Sequence, residues 1–171
     1  GIDQIPDLLV QRQIGRVLLV TDEAVEACGL TRPLERALAE KHIAVAVYGK
    51  TVANPTTQNV EEARQVYTEN GCQALIGFGG GSSIDCAKIV GARVVKPKQS
   101  VAKMKGLLKI HKKLPLLIAV PTTAGTGSET TLAAVITDSD TRYKFPINDF
   151  PLIPPYAVLD PALTKSLPPS L

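Results

Sequence analysis

Short apolar runs alternate with stretches of helical periodicity from the start of the chain to Val120. The run RVLLVT, Arg16 to Thr21, is β-branched and long enough for a strand buried on both faces, and Asp22 stands at its carboxyl end. Leu30, Leu34, Ala37 and Leu38 then recur at helical spacing, with Pro33 where a first turn tolerates it. AVAVY, Ala44 to Tyr48, predicts a second strand, and the Asn54-Pro55 step that follows disfavours helix at Asn54. A helix is expected from about Thr57, with Val60, Ala63 and Val66 on one stripe and Asn70-Gly71 as its stop. ALIGF predicts the third strand. Ser82 or Ser83 opens a helix with Ile84, Ala87, Gly91 and Val94 on its inner face, ended by Pro97. LLIAV, Leu116 to Val120, predicts a fourth strand.

Strands alternating with helices in this way make a parallel sheet with right-handed crossovers and helices on both faces, a doubly wound α/β domain. Beyond Val120 the rhythm changes. TTLAAVITDSDTRYKFPI reads as two extended segments around an Asp-Ser-Asp turn, an added β-hairpin rather than another βα unit. Ala157 to Asp160 is a candidate for a further strand, and the Pro-rich stretch after it suggests a domain boundary near Leu167.

The stretch GFGGGSSIDCAK places Gly79, Gly80 and Gly81 between the third strand and the next helix. Such a loop lets backbone approach a ligand closely, and the unpaired N–H groups of the helix start favour a phosphate. Two common fingerprints do not fit. A dinucleotide G-x-G-x-x-G would need glycine where Ile84 stands, and no Gly-Lys-Ser/Thr follows for a P-loop. Neither Ser82 nor Ser128 has the flanking glycines of a hydrolase nucleophile elbow. Ser82 with Asp85 three residues on approximates a capping box, so a purely structural cap and a cap that also holds phosphate both fit.

A second loop, PTTAGTGSETT, follows the fourth strand and offers hydroxyls from Thr122, Thr123, Thr126 and Ser128 around Gly125 and Gly127. Two such loops at the carboxyl ends of strands are expected to form one crevice. Asp22, on the same edge, suits either a helix N-cap or an acceptor for two ribose hydroxyls that repels a 2′-phosphate.

Composition adds bounds. The 171 residues are 44% hydrophobic and 20% charged, which fits an ordinary globular domain rather than a disordered chain. The net charge of +3 has its excess in the lysines at 96, 98, 103, 105, 109, 112 and 113. No aromatic residue interleaves them to stack bases, so a solvated surface is expected rather than a nucleic-acid site. Cys28, Cys72 and Cys86 form no close pair, which fits a reducing compartment and a cytoplasmic location. No apolar run approaches the ~20 residues of a membrane span, and the amino-terminal residues lack the pattern of a signal peptide.

Taken together, GFGGGSSIDCAK and PTTAGTGSETT, with LLVTD before them and ANPT between, resemble the iron-containing alcohol dehydrogenase family over nearly the whole chain. The resemblance implies a dehydroquinate synthase-like NAD(P)-binding domain over residues 1–167, with 168–171 beginning the link to a helical metal-binding half outside this chain. It implies Asp22 near the adenosine ribose and Asn54 in a loop beside the cofactor. Gly79, Gly80, Gly81 and Ser82 then form the pyrophosphate loop, and Thr122, Thr123 and Thr126 the second cofactor loop. Lys144 would reach toward the nicotinamide ribose and Asp85 lie near the nicotinamide end, serving both cap and site.

The implied activity is hydride transfer between a small alcohol or aldehyde and NAD, which Asp22 favours over NADP, in an intact enzyme that is often a homodimer. The family's Fe²⁺, or another divalent ion, is held by one aspartate and three histidines that begin in an Asp-x-x-x-His helix beyond this chain. The only histidines here, His42 and His111, lie in Lys-rich contexts on the far side from the crevice and are expected to be surface residues. No metal ligand and no catalytic residue are therefore assigned, and the isolated chain is expected to be inactive. The alternative is a non-catalytic nucleotide-binding module acting with a partner chain.

Overall fold

The computed structural model describes residues 1–165. Five strands form a parallel sheet in the order β2 (Ala44–Tyr48), β1 (Arg16–Val20), β3 (Ala74–Gly79), β5 (Leu116–Pro121) and β8 (Tyr156–Ala157). Every pairing in it is parallel, from Val17 opposite Val45 and Ala74 to Ile118 opposite Tyr156. The doubly wound architecture expected from the alternation is thus present.

Alternation of side chains across the strands makes two cores. Leu18, Val20, Leu75 and Leu117 face helices α4 (Thr57–Glu69) and α5 (Gly81–Val95). Val17, Leu19, Ile76, Phe78, Ile118 and Val120 face the opposite layer, made by α1 (Ile5–Gln11), α2 (Glu23–Ala27) and α3 (Arg32–Glu40). Each fully buried leucine or isoleucine contributes about 1.5–3 kcal/mol. The strands that must satisfy both layers therefore have near-continuous apolar sequences.

The expected hairpin is formed by β6 (Ala133–Thr137) and β7 (Lys144–Asn148), which pair antiparallel. Asp138 makes the turn, its Oδ1 accepting from the N–H groups of Asp140 at 2.8 Å and Thr141 at 3.0 Å. A short β4 (Gly106–Leu107) from the Lys-rich region adds to β7, giving a second sheet in the order β4-β7-β6. This sheet packs Ala134, Ile136, Phe145 and Ile147 against α5. Consequently α5 is buried nearly all round, including Cys86, Ala87, Ile89, Val90 and Ala92, and has no single inner face of the kind its spacing suggested.

Two local expectations need correction. The N-cap of α5 is Gly80, with no side-chain cap, so Ser82 lies inside the helix and the Ser82–Asp85 capping box is not formed. A capping box is found instead at α4, where the Thr56 hydroxyl accepts from the Asn59 N–H at 3.0 Å and Asn59 Oδ1 from the Thr56 N–H at 3.1 Å. The late strand is Tyr156–Ala157 rather than Ala157 to Asp160, because Asp160 turns the chain into a single 3₁₀ turn by accepting from the Ala162 N–H. The boundary expected near Leu167 lies outside the described residues.

Candidate functional site

At the carboxyl edge of the large sheet, β1 and β3 are neighbours, yet their following helices pass to opposite layers. Ligands of open α/β sheets bind in the crevice that such a divergence creates. Asp22 ends β1 and the glycines end β3, so the chain delivers both to that crevice.

The three glycines have different surroundings. Gly79 has φ +151°, a backbone region that L side chains rarely adopt, and a Cβ there would lie 2.7 Å from Ser83 Oγ and 3.4 Å from Asp22 Oδ2. A Cβ on Gly80 would sit 3.4 Å from Thr123 Oγ1. One on Gly81 would lie 3.1 Å from Ser128 Oγ and 3.2 Å from Thr126 Cβ. The glycines thus keep clear the narrow space between the first turn of α5 and the second loop. Below them Ser83 Oγ is buried without a hydrogen-bond partner. A hydrogen bond of 2.9 Å from the Thr122 N–H to the Gly79 carbonyl joins the two loops directly.

Asp22 has one of the two roles open to it in plain view. Its Oδ1 accepts from the Val25 N–H at 2.9 Å and so caps α2, while Oδ2 faces the glycine loop. Asn54 is held at φ +57°, with its N–H donating to Ser82 Oγ at 3.3 Å and its Oδ1 accepting from Lys144 Nζ at 2.8 Å. Ser82, Asn54 and Lys144, from α5, the loop after β2 and the hairpin, therefore form one linked wall. Asn54 and Lys144 are solvent-exposed.

Asp85 departs from its expected capping role. Its Oδ2 accepts from the Val135 N–H of β6 at 3.0 Å, and Oδ1 is buried without a hydrogen-bond partner. Burial raises its pKa, opposed by the Val135 N–H and by the nearby Lys88.

Two residues that sequence reasoning passed over organise the site. Asn59 Nδ2 donates to the Lys50 carbonyl at 3.2 Å and to the Tyr48 hydroxyl at 3.1 Å, which fixes the loop carrying Asn54. Lys88 has no solvent exposure, and its Nζ donates to the carbonyls of Thr131 at 2.8 Å and Ala133 at 2.9 Å. The signal for Lys88 was a lone cation in the apolar run IDCAKIV.

The cradle between Gly79–Gly81 and the second loop, kept narrow and free of side chains by the glycines and lined with N–H groups and hydroxyls, suits a pyrophosphate. A metal ion is a poorer fit. Among the described residues no group of three or more His, Cys, Asp or Glu is placed to hold one. His42 and His111 are exposed and lie before β2 and β5, at the amino edge of the sheet. No helix among the described residues is long and apolar enough to cross a membrane.

Comparison with known proteins converges on one group. The family model for iron-containing alcohol dehydrogenase matches residues 1–161. The NAD-dependent methanol dehydrogenase of Bacillus methanolicus is 36% identical over 162 residues, 94% of this chain and 42% of its own length. Among solved structures, a 1,3-propanediol oxidoreductase superposes with a TM-score of 0.94 at 30% identity, covering 99% of this chain and 44% of that one. Sulfoacetaldehyde reductase from Bifidobacterium kashiwanohense, solved in complex with NAD⁺, gives a TM-score of 0.85 at 30% identity, covering 98% and 44%. The chain thus spans less than half the length of these relatives.

Proposed function

This chain belongs to the iron-containing alcohol dehydrogenase family, and from that premise we propose that it is the NAD-binding part of an enzyme that interconverts a small alcohol and its aldehyde. The observation that carries the reading is the convergence of Asp22, the Gly79–Gly81 turn and the Thr122–Ser128 loop on one crevice at the point where the sheet's helices diverge. The match to an NAD-dependent relative and to a structure with NAD⁺ bound supports the choice of cofactor.

In this reading the first turn of α5 directs its free N–H groups at the pyrophosphate, with the glycines giving it room. Thr122, Thr123 and Thr126 line the other side of the same cradle. Asp22 Oδ2, free of the α2 cap, accepts from the ribose hydroxyls of the adenosine end and disfavours a 2′-phosphate by like charge. Asn54 and Lys144, already bonded to each other, offer the amide N–H and ammonium donors for the nicotinamide ribose. Asp85 lies on the adjoining turn of α5, on the way to the nicotinamide end. When bound, NAD supplies the hydride acceptor. No metal-dependent step is assigned to residues of this chain, because the described residues offer no ligand set for one.

Calorimetric titration of the chain with NAD⁺ and NADP⁺ at one ionic strength tests the proposal. Saturable NAD⁺ binding that weakens on Gly81→Ala is expected, whereas equal indifference to both dinucleotides overturns it.

A further inference from the structure

The hairpin strand β6 is an edge strand of the small sheet, since the order is β4-β7-β6. Val135 lies opposite Pro146, which has no N–H, so the pair cannot exchange ladder hydrogen bonds and Val135 turns its own N–H to the free edge. An unpaired edge of this kind costs free energy where it is buried. Here it is not left unpaired. Lys88 Nζ donates to the Thr131 carbonyl at 2.8 Å, the Thr131 hydroxyl at 3.2 Å and the Ala133 carbonyl at 2.9 Å. Asp85 Oδ2 accepts from the Val135 N–H at 3.0 Å, and the Pro55 carbonyl accepts from the Thr137 N–H at 2.9 Å. Residues 131, 133, 135 and 137 alternate along the edge, and each finds a partner.

We propose that Lys88 is a positioning residue of the cofactor site, acting with Asp85 as a side-chain substitute for the missing neighbour strand, so that the second loop and the hairpin bearing Lys144 are locked to the helix that carries the glycine seat. Three features carry this. Both side chains come from α5, three residues apart, so they lie on one helix face. The atoms they hold begin at Thr131, three residues past the Thr122–Ser128 loop, whose middle is solvent-exposed and has no strand to brace it. Lys88 is fully shielded, and a buried ammonium is retained only where its donors are satisfied. The charged groups facing it are Asp85 from its own helix and Glu129 from the loop. The other end of the hairpin is tied down separately, with Ser139 Oγ accepting from the Gln58 N–H at the start of α4 at 2.9 Å.

The proposal rests on reading the crevice as an NAD site, and the test separates the two. Hydrogen exchange and NAD⁺ titration are measured on the full chain, on Lys88→Met, and on Leu38→Ala, which opens a cavity in the opposite layer. In Lys88→Met, exchange over residues 122–137 should accelerate on the order of tenfold while residues 17–20 stay protected, and NAD⁺ should bind about tenfold more weakly, as misplacement of a binding group predicts. Leu38→Ala should show neither local effect. If Lys88→Met does not fold, Lys88→Gln, which keeps two N–H donors on a shorter stem, should show the same pattern at smaller size. Unchanged exchange at 122–137 overturns the latch, and faster exchange with unchanged NAD⁺ affinity overturns its positioning role. Absence of NAD⁺ binding by the unsubstituted chain overturns the reading of the site instead, and leaves the latch to be decided by the exchange pattern.

Discussion

Replacing Gly81 and Gly79 separately by alanine should produce opposite outcomes, because the two glycines are required for different reasons. At Gly81, the first residue of α5, the backbone accepts a side chain, and alanine is favoured over glycine by up to about 1 kcal/mol in a helix. The added methyl would lie 3.1 Å from Ser128 Oγ and 3.2 Å from Thr126 Cβ. Thr126 is exposed while Ser128 is buried, and a yield of a few tenths of an ångström by both costs about 1 kcal/mol. The two contributions nearly cancel. Stability should therefore change by less than about 1 kcal/mol, but the methyl occupies the cradle. Loss of one charge-assisted hydrogen bond there, about 1.5–3 kcal/mol, weakens NAD⁺ binding by roughly tenfold to a hundredfold.

At Gly79 the perturbation is structural. Alanine must adopt φ +151° and place its Cβ 2.7 Å from Oγ and 3.0 Å from Cβ of Ser83, which is fully buried and cannot retreat. Backbone strain of about 1–3 kcal/mol and overpacking of similar size add to about 2–6 kcal/mol, a large part of the stability of an ordinary domain. Urea unfolding and calorimetric NAD⁺ titration of both variants decide the matter. A Gly81→Ala chain that binds NAD⁺ as tightly as the unsubstituted one refutes the cradle. A Gly79→Ala chain that loses less than about 1 kcal/mol refutes the assigned need for glycine.

Asp22→Gly should raise the ratio of NADP⁺ to NAD⁺ affinity about tenfold with little loss of stability, since glycine replaces an N-cap aspartate at a cost of only a few tenths of a kcal/mol; competitive titration of the two dinucleotides at fixed ionic strength checks it. Burial lowers the Lys88 pKa from 10.5 to about 8, so above pH 8 the unfolded chain holds a proton that the folded chain has released. Stability relative to Lys88→Met should accordingly rise as pH increases from 8 toward 10.5, by about 3 kcal/mol in all, and a flat difference between their urea midpoints across that range contradicts it. The 171-residue chain supplied with NAD⁺, an alcohol and Fe²⁺ or Zn²⁺ should form no NADH, because its described residues bring no three His, Cys, Asp or Glu side chains together to hold the ion; alcohol-dependent absorbance at 340 nm would show otherwise.

The large sheet was legible because strands buried on two faces need apolar side chains at every position, and such runs stand out from the periodic helices between them. The convergence of the glycine loop and the second loop was legible for a related reason: glycine between a strand and a helix marks close backbone approach, and Gly79, with φ +151° and a Cβ position 2.7 Å from Ser83 Oγ, is where that need is strictest. What stayed hidden was everything set by contact between distant segments. The pattern around Ile84 and Ala87 described the face of α5 toward the large sheet but not the face toward the hairpin, because burial on a second side adds apolar residues and blurs the period. Asp85 fitted a cap by spacing alone, yet Val135, fifty residues away, competes for its carboxylate and wins, since Gly80 already supplies the extended residue a helix start requires. Lys88 illustrates the same rule from the polar side. A lysine in an apolar helix is costly unless a tertiary partner accepts its protons, so its presence in IDCAKIV was itself a sign that unpaired carbonyls lay opposite. An edge strand with a proline across from it, at Val135 and Pro146, is the other half of that inference. Charged residues inside apolar helical runs and proline-facing edge strands can be sought together in a sequence, and their coincidence marks where one element braces another.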